Sequence, residues 1–60
     1  MTYIKEIRLN NKLTRKEMAQ ILNIHYNNYI RCERGELNVS LKSIKKLKEY
    51  FKNIDANKFF

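Results

Sequence analysis

Apolar residues recur at three- and four-residue spacings along a chain that contains no proline and only one glycine. This spacing places apolar side chains on one face of an α-helix, and no alternating apolar run of useful length indicates a β-strand. We therefore expect an all-α protein. A chain of 60 residues forms one small domain, residues 1–60, which buries only about 60% of its unfolded surface.

Local start and stop signals predict five short helices in a compact domain. Helix 1 is expected near residues 2–10. Thr14 and Glu17 have the spacing of a capping box, in which each side chain accepts a hydrogen bond from an otherwise unpaired backbone N–H at the start of helix 2. Asn23 suits the left-handed conformation of a tight turn, so about three residues separate helix 2 from helix 3.

The second half of the chain carries similar signals. Helix 3 is expected from about His25 to Arg34, because glycine is the preferred residue just past a helix end and Gly35 follows. Ser40 can cap helix 4, and Asp55 can cap a single closing turn. In helix 4 we expect four apolar residues to be buried (Leu41, Ile44, Leu47 and Phe51) and four lysines to face solvent (Lys42, Lys45, Lys46 and Lys52). In the closing turn Phe59 is expected to pack on Ile54.

Thirteen basic and six acidic residues give a formal net charge of +7, which favours polyanionic partners and speeds their encounter. Nucleic acid is the first candidate, and a membrane surface is the second, because SLKSIKKLKEYFKNI has the pattern of a basic amphipathic helix. Caps and paired apolar residues in the other segments favour packing of this helix into a core. No apolar run approaches the ~18 residues that a membrane span requires.

Other kinds of chemistry lack the residues that they need. One histidine and one cysteine cannot form a zinc site, and a lone glycine excludes the usual glycine-rich phosphate-binding loops. Cys32 cannot form an intramolecular disulfide and is expected to pack in the core. Since MTYIKEIRLNNK contains no signal-peptide-like apolar run, we expect a cytoplasmic protein. We expect neither an enzyme nor a cofactor, metal or small-molecule substrate.

Two helices joined by about three residues, with the small Ala19 where they cross, indicate a helix-turn-helix unit whose second helix enters the DNA major groove. A sequence with this unit resembles the phage repressor and Cro proteins of the XRE family. The similarity covers nearly the whole chain: IKEIRLNNKLTRKEMAQIL resembles the first two helices, NIHYNNYIRCERG the turn and recognition helix, and NVSLKSIKKL with IDANKFF the fourth and fifth helices.

The most specific matches are Glu33-Arg34-Gly35 and Arg8. The resemblance implies a DNA-binding transcriptional regulator, such as a repressor, in which Arg8 and Glu33 form a structural ion pair. The sequence departs from the family pattern at four positions, which are Asn23 for glycine, Val39 for proline, Tyr29 for a smaller aliphatic residue, and His25 for a serine or threonine cap.

The first residues of helix 3, His25-Tyr26-Asn27-Asn28, are weak helix formers, as expected where function constrains the sequence. Asparagine can bond adenine N6 and N7 together, tyrosine can donate to a base or a phosphate, and arginine can reach guanine. The predicted base-reading residues are Tyr26, Asn27, Asn28 and Arg31. The predicted phosphate contacts, from helix starts and polar or basic side chains, are Thr14, Arg15, Asn38 and Lys42.

The expected partner is double-stranded DNA with a two-fold symmetric site, bound by a homodimer in which Phe60 contacts the second subunit. The alternative is a protein-interaction module, such as an antirepressor, antitoxin or adaptor, because one fold serves several functions. That alternative predicts an apolar surface on helix 3, for which Ile30 is the one candidate residue.

Overall fold

A computed structural model describes residues 1–59, which form four α-helices and one 3₁₀ turn. The α-helices are α1 (Tyr3–Asn10), α2 (Arg15–Leu22), α3 (Tyr26–Glu33) and α4 (Leu41–Tyr50), and the 3₁₀ turn spans Ala56–Phe59. The described range contains no β-strand. The prediction of an all-α fold is confirmed, and none of these helices is long and apolar enough to cross a membrane.

The prediction of a fifth helix is wrong, because the last segment forms a 3₁₀ turn. Asp55 accepts a side-chain hydrogen bond from the Asn57 N–H at 3.0 Å, so it does cap the segment as expected. The Lys58 N–H then bonds to the Asp55 carbonyl at 3.1 Å, which is the three-residue spacing of a 3₁₀ turn. The fold is therefore a four-helix arrangement with one closing turn.

The α2–turn–α3 unit forms as the local signals predict. Thr14 Oγ1 accepts from the Glu17 N–H at 3.1 Å, and Glu17 Oε1 accepts from the Thr14 N–H at 2.8 Å, which completes the capping box. Residues 23–25 form the turn. His25 is the N-cap of α3 and makes no side-chain capping bond, so the start of α3 has less local stabilisation than the start of α2.

The first three helices end in the same way. The residue that closes each of them has a positive φ angle, which is 55° at Lys12, 56° at Asn23 and 78° at Gly35. In each case the next residue donates its N–H to the carbonyl five positions earlier, at distances between 2.9 and 3.1 Å. These bonds satisfy carbonyl groups that the helix leaves free and turn the chain sharply towards the next helix.

The core lies between all four helices. α2 packs against α3 and α4, while α1 packs against α3 and the 3₁₀ turn. The buried cluster consists of Ile4, Ile7, Met18, Ala19, Leu22, Tyr29 and Leu47. Phe59 and Ile54 are both partly buried against this cluster, and the ring of Phe59 meets the ring of Tyr3 edge-on at 4.9 Å. The closing turn is thereby attached to α1.

One predicted core residue is on the surface. Leu41 is 73% exposed, whereas Ile44 and Leu47 are buried as predicted. At 3.6 residues per turn, Leu41 lies about 110° from the middle of the arc formed by Ser43, Ile44 and Leu47. The polar Ser43 is buried instead, because its backbone N–H and its side chain both bond to Ser40 Oγ at 3.1 Å.

The other predictions for α4 are met in part. Lys42, Lys45 and Lys52 are exposed, but Lys46 is half-buried. Phe51 lies just beyond the last turn of α4 and is half-buried against the core cluster.

Candidate nucleic-acid interface

The α3 helix separates an anchored face from a free polar face. Tyr29, Cys32 and Glu33 are buried against the rest of the domain. The four predicted base-reading residues are all exposed on the other side: Tyr26, Asn27, Asn28 and Arg31. α3 therefore offers hydrogen-bond donors and acceptors to solvent while its buried face fixes its position.

The apolar candidate on α3 does not form an apolar surface. Ile30 is half-buried and lines a concavity with the charged residues Lys5, Arg15, Glu33 and Arg34 and with Tyr26. The surroundings of Ile30 are thus polar and mostly basic.

The first turn of α2 lies along one side of α3, from Tyr26 to Glu33. The exposed Thr14 and Arg15 line a concavity together with Tyr26, and Arg8, Leu13 and Lys16 complete its wall. The structure thus brings two predicted phosphate contacts next to one predicted base-reading residue. These residues are separated by eleven or twelve positions in the sequence, so the packing of α2 against α3 places them together.

The other side of α3 is flanked by the segment that leads into α4. Asn28 and Asn38 line a small cleft that also includes Ser40, the N-cap of α4. Lys42 is exposed in the first turn of α4. The eight predicted DNA contacts therefore extend from the start of α2 to the start of α4, with α3 between them.

A buried carboxylate connects three helices behind this surface. Arg8 Nε donates to Glu33 Oε2 at 2.6 Å, and the Tyr29 hydroxyl donates to the same oxygen. Arg15 Nε donates to the other oxygen, Oε1, at 3.2 Å. Arg8 also donates from a terminal nitrogen to the Leu13 carbonyl at 3.1 Å. The structure thus joins Arg8 and Glu33 directly, and it adds Arg15 and Tyr29 to the pair.

The electrostatics of this cluster keep Glu33 ionised at neutral pH. Burial acts to raise the pKa of Glu33, but hydrogen bonds from Arg8, Tyr29 and Arg15 outweigh that effect and lower the pKa below its ordinary value. The hydrogen bond to Glu33 raises the pKa of Arg8. Burial, reinforced by the bond to Glu33, raises the pKa of the Tyr29 hydroxyl. Glu33 therefore accepts hydrogen bonds from two cationic donors, Arg8 and Arg15, and from one neutral donor, Tyr29.

Three basic residues that the sequence analysis did not assign also lie at this surface. Lys5 and Arg34 line one of the two concavities beside Tyr26, and Lys16 lines the other. Lys5 lies on α1, Lys16 lies on α2, and Arg34 is the residue after α3. No spacing in the sequence indicates this proximity, because it depends on how the helices pack.

Arg31 and Arg34 both approach Glu36, with closest distances of 3.9 Å, and all three side chains are more than half exposed. Ion pairs of this kind contribute little stability, so both guanidinium groups are free to bind another partner.

Burial raises the pKa of the Cys32 thiol, which packs at the inner side of α3. Within residues 1–59 no cluster of three histidine, cysteine or acidic residues has the arrangement of a metal site.

A family model described as Helix-turn-helix matches residues 4–59 of this chain. The family comprises DNA-binding regulatory domains and not enzymes. No curated protein and no solved structure matches the chain. The family match covers nearly all of the residues that build α1 to α4 and the closing turn. The chain therefore belongs to the XRE-type helix-turn-helix family and is a Cro- and repressor-like DNA-binding protein.

Proposed function

We propose that this protein regulates transcription by binding a specific double-stranded DNA sequence, with α3 lying in the major groove. The observation that carries the proposal is the exposed polar face of α3, formed by Tyr26, Asn27, Asn28 and Arg31. The major groove is about 12 Å wide and accepts one α-helix, and asparagine and arginine recognise base edges there with paired hydrogen bonds.

Contacts to the DNA backbone would hold α3 in register without reading sequence. Thr14 and Arg15 lie along one side of α3 and Asn38 lies along the other side, while Lys42 is exposed in the first turn of α4. This arrangement fits a helix that is flanked by phosphates on both sides of the groove. The formal net charge of +7 adds long-range attraction to DNA.

Selection of binding sites from random duplexes, followed by a salt titration on the selected duplex, tests the proposal. We expect enrichment of one short sequence and an affinity that falls linearly with salt on a double logarithmic scale. Selection without an enriched sequence would contradict sequence-specific binding. An affinity that is independent of salt would contradict contacts to phosphates.

Replacing Asn27 with alanine is expected to weaken binding to the selected site by about 1–3 kcal/mol and to relax the base preference at one position. Arg15→Ala is expected to weaken binding to all sequences nearly equally, because a phosphate contact carries no sequence information. Competition binding with the selected duplex and with single-base variants measures both effects.

Asn53→Ala is the matched control, since Asn53 is exposed and lines a concavity that contains no residue of α3. This control should bind the selected duplex as the wild type does. An Asn27→Ala protein with unchanged affinity and unchanged base preference would show that the exposed face of α3 does not read the bases.

We also propose that two copies bind one two-fold symmetric site. An eight-residue helix is about 12 Å long and spans only three or four base pairs at about 3.4 Å each, which is too short to define a unique site. Half-sites of symmetric helix-turn-helix dimers are about 34–36 Å apart. The folded chain measures 25 × 22 × 21 Å, so two copies fit side by side on one face of the DNA.

Sedimentation equilibrium with and without the selected duplex is expected to give two protein chains per duplex at saturation. A single chain per saturated specific site, or a selected site without two-fold symmetry, would contradict the dimer. Phe60, the predicted dimer contact, lies outside the described residues 1–59. A Phe60→Ser variant that still forms the 2:1 complex would remove only that contact from the proposal.

A further inference from the structure

We propose that Glu33 is a positioning residue for DNA binding, which holds the Arg15 guanidinium in place to bind a backbone phosphate beside Tyr26. The inference rests on the proposed function, because it requires that the protein binds DNA and that Arg15 faces the backbone. It adds a role for a buried acidic residue that itself does not touch DNA.

Hydrogen bonds to one oxygen of the Glu33 carboxylate fix the orientation of the whole group. The side chain of Glu33 is 5% exposed, and its Oε2 atom accepts hydrogen bonds from both Arg8 and Tyr29. These two donors come from different helices, so the carboxylate cannot rotate without breaking one of the bonds. The second oxygen, Oε1, is thereby left facing Arg15, whose Nε lies 3.2 Å away.

The Arg15 side chain is held at one atom and otherwise accessible. A guanidinium has five N–H donors in a rigid planar fork, and the bond to Glu33 uses only the donor on Nε. The side chain of Arg15 is 47% exposed. Its terminal nitrogens therefore keep four donors for an acceptor from outside the protein, and a phosphate takes paired bonds from such a fork.

The position of this fork relative to α3 is defined. Two concavities at this surface are each lined by both Arg15 and Tyr26. The Glu33 bond thus links the first residue of α2 to the last residue of α3. A phosphate bound by Arg15 would be fixed at a constant distance from the base-reading residues.

The charges of the cluster allow an anion to bind. Arg8 and Arg15 are cationic, and Glu33 is anionic, so the three groups together carry one positive charge. Lys5, Lys16 and Arg34 line the same concavities and add further positive charge. The carboxylate therefore does not repel a phosphate from this position. Holding a long side chain in its bound conformation also reduces the entropy that is lost on binding.

A double-mutant cycle on the selected duplex tests this role. At 0.1 M salt we expect Arg15→Ala to weaken binding about tenfold per bound chain and to reduce the salt slope by about 0.9 per bound chain, the value for one lost phosphate contact. In the Glu33→Gln background the same substitution should weaken binding less than about threefold, with little further change in slope. Glu33→Gln alone should reduce the salt slope, because Arg15 is no longer held at the phosphate. The loss of a negative charge near DNA would by itself raise the affinity, so the salt slope and not the affinity is the readout for this single variant.

Lys16→Ala is the matched control. Lys16 is an exposed cation next to Arg15 and makes no ion pair with Glu33 within residues 1–59. It should weaken binding by the same factor in both backgrounds. Equal losses for Arg15→Ala in the two backgrounds would overturn the positioning role and leave the proposed function intact. Failure of the wild-type protein to bind any duplex would overturn both.

An NMR measurement on the wild type decides the question if Glu33→Gln does not fold. The Arg15 Nε–H signal is expected to exchange slowly with water in the free protein and to remain protected in the complex with the selected duplex. Loss of that protection on DNA binding would show that Arg15 leaves Glu33 to reach the DNA, and it would overturn the inference.

Discussion

Replacement of Arg8 by alanine is expected to lower the free energy of unfolding by about 3–5 kcal/mol, the usual effect of removing one partner from a buried ion pair. Arg8 is buried and bonds both to Glu33 and to the Leu13 carbonyl, so the substitution leaves one buried and one partly buried acceptor with fewer donors. A chain of this length has a total stability of only about 3–9 kcal/mol, at roughly 0.05–0.15 kcal/mol per residue. Much of the protein should therefore be unfolded at physiological temperature.

Thermal unfolding followed by circular dichroism measures this effect, and Arg34→Ala is the matched control. Arg34 is exposed and approaches Glu36 only at 3.9 Å, so its replacement should change stability by less than about 0.5 kcal/mol. Arg34→Ala is a control for stability only and not for DNA affinity, because Arg34 lines the same concavity as Tyr26. An Arg8→Ala protein with an unchanged melting temperature and lost DNA binding would place Arg8 in the DNA interface.

Leu47→Ala is expected to destabilise the protein by about 2–5 kcal/mol, as for other fully buried leucines. Leu47 is 0% exposed and belongs to the core cluster that supports α2 and α3. Leu41 provides the matched control in the same helix, because it is 73% exposed. Leu41→Ala should change stability by less than about 0.5 kcal/mol. Urea unfolding of both variants at 25 °C gives the two free energies.

The contrast also tests the fold directly. Similar losses for Leu41→Ala and Leu47→Ala would show that α4 is rotated about its axis relative to the structure. A large loss for Leu47→Ala alone fits the observed register, in which Ser43, Ile44 and Leu47 face the core.

The features that sequence predicted well are those set by residues close together in the chain. The capping box of Thr14 and Glu17 and the left-handed Asn23 both depend on a few neighbouring residues and their backbone. The three-residue turn and the end of α3 before Gly35 follow from the same local chemistry. These signals define the helix-turn-helix unit without knowledge of the rest of the fold.

The prediction errors concern features that depend on how the helices pack against each other. The apolar spacing of α4 indicates one buried face, but which residues lie at its centre depends on how α4 meets α2, and Leu41 falls outside the contact. The bond between Arg15 and Glu33 joins residues 18 positions apart on different helices, so no local pattern predicts it. The bond between Tyr29 and Glu33 has a local signal that was missed, because residues four apart on a helix are neighbours.

The candidate site shows the same division. Exposure of Tyr26, Asn27, Asn28 and Arg31 follows from the helical register of α3, since its apolar positions already define the inner face. The basic surroundings contributed by Lys5 and Lys16 became apparent only when α1, α2 and α3 were placed together. A register can be read from one helix, whereas a surface built by three helices cannot.

The left-handed residues that close α1 and α2 have a consequence for how the protein folds. A residue with a side chain adopts this conformation at a cost of roughly 1–2 kcal/mol, which glycine avoids, and Lys12 lacks even the local hydrogen bonding that helps asparagine. The break between α1 and α2 is therefore maintained by the Arg8 bond to the Leu13 carbonyl and by the packing of Leu13 on the core, and Arg8 is itself held by Glu33 on α3. We expect the DNA-binding unit to form only in a single cooperative step with α1 and α4 in place, so that a peptide limited to α2 and α3 would not retain its shape.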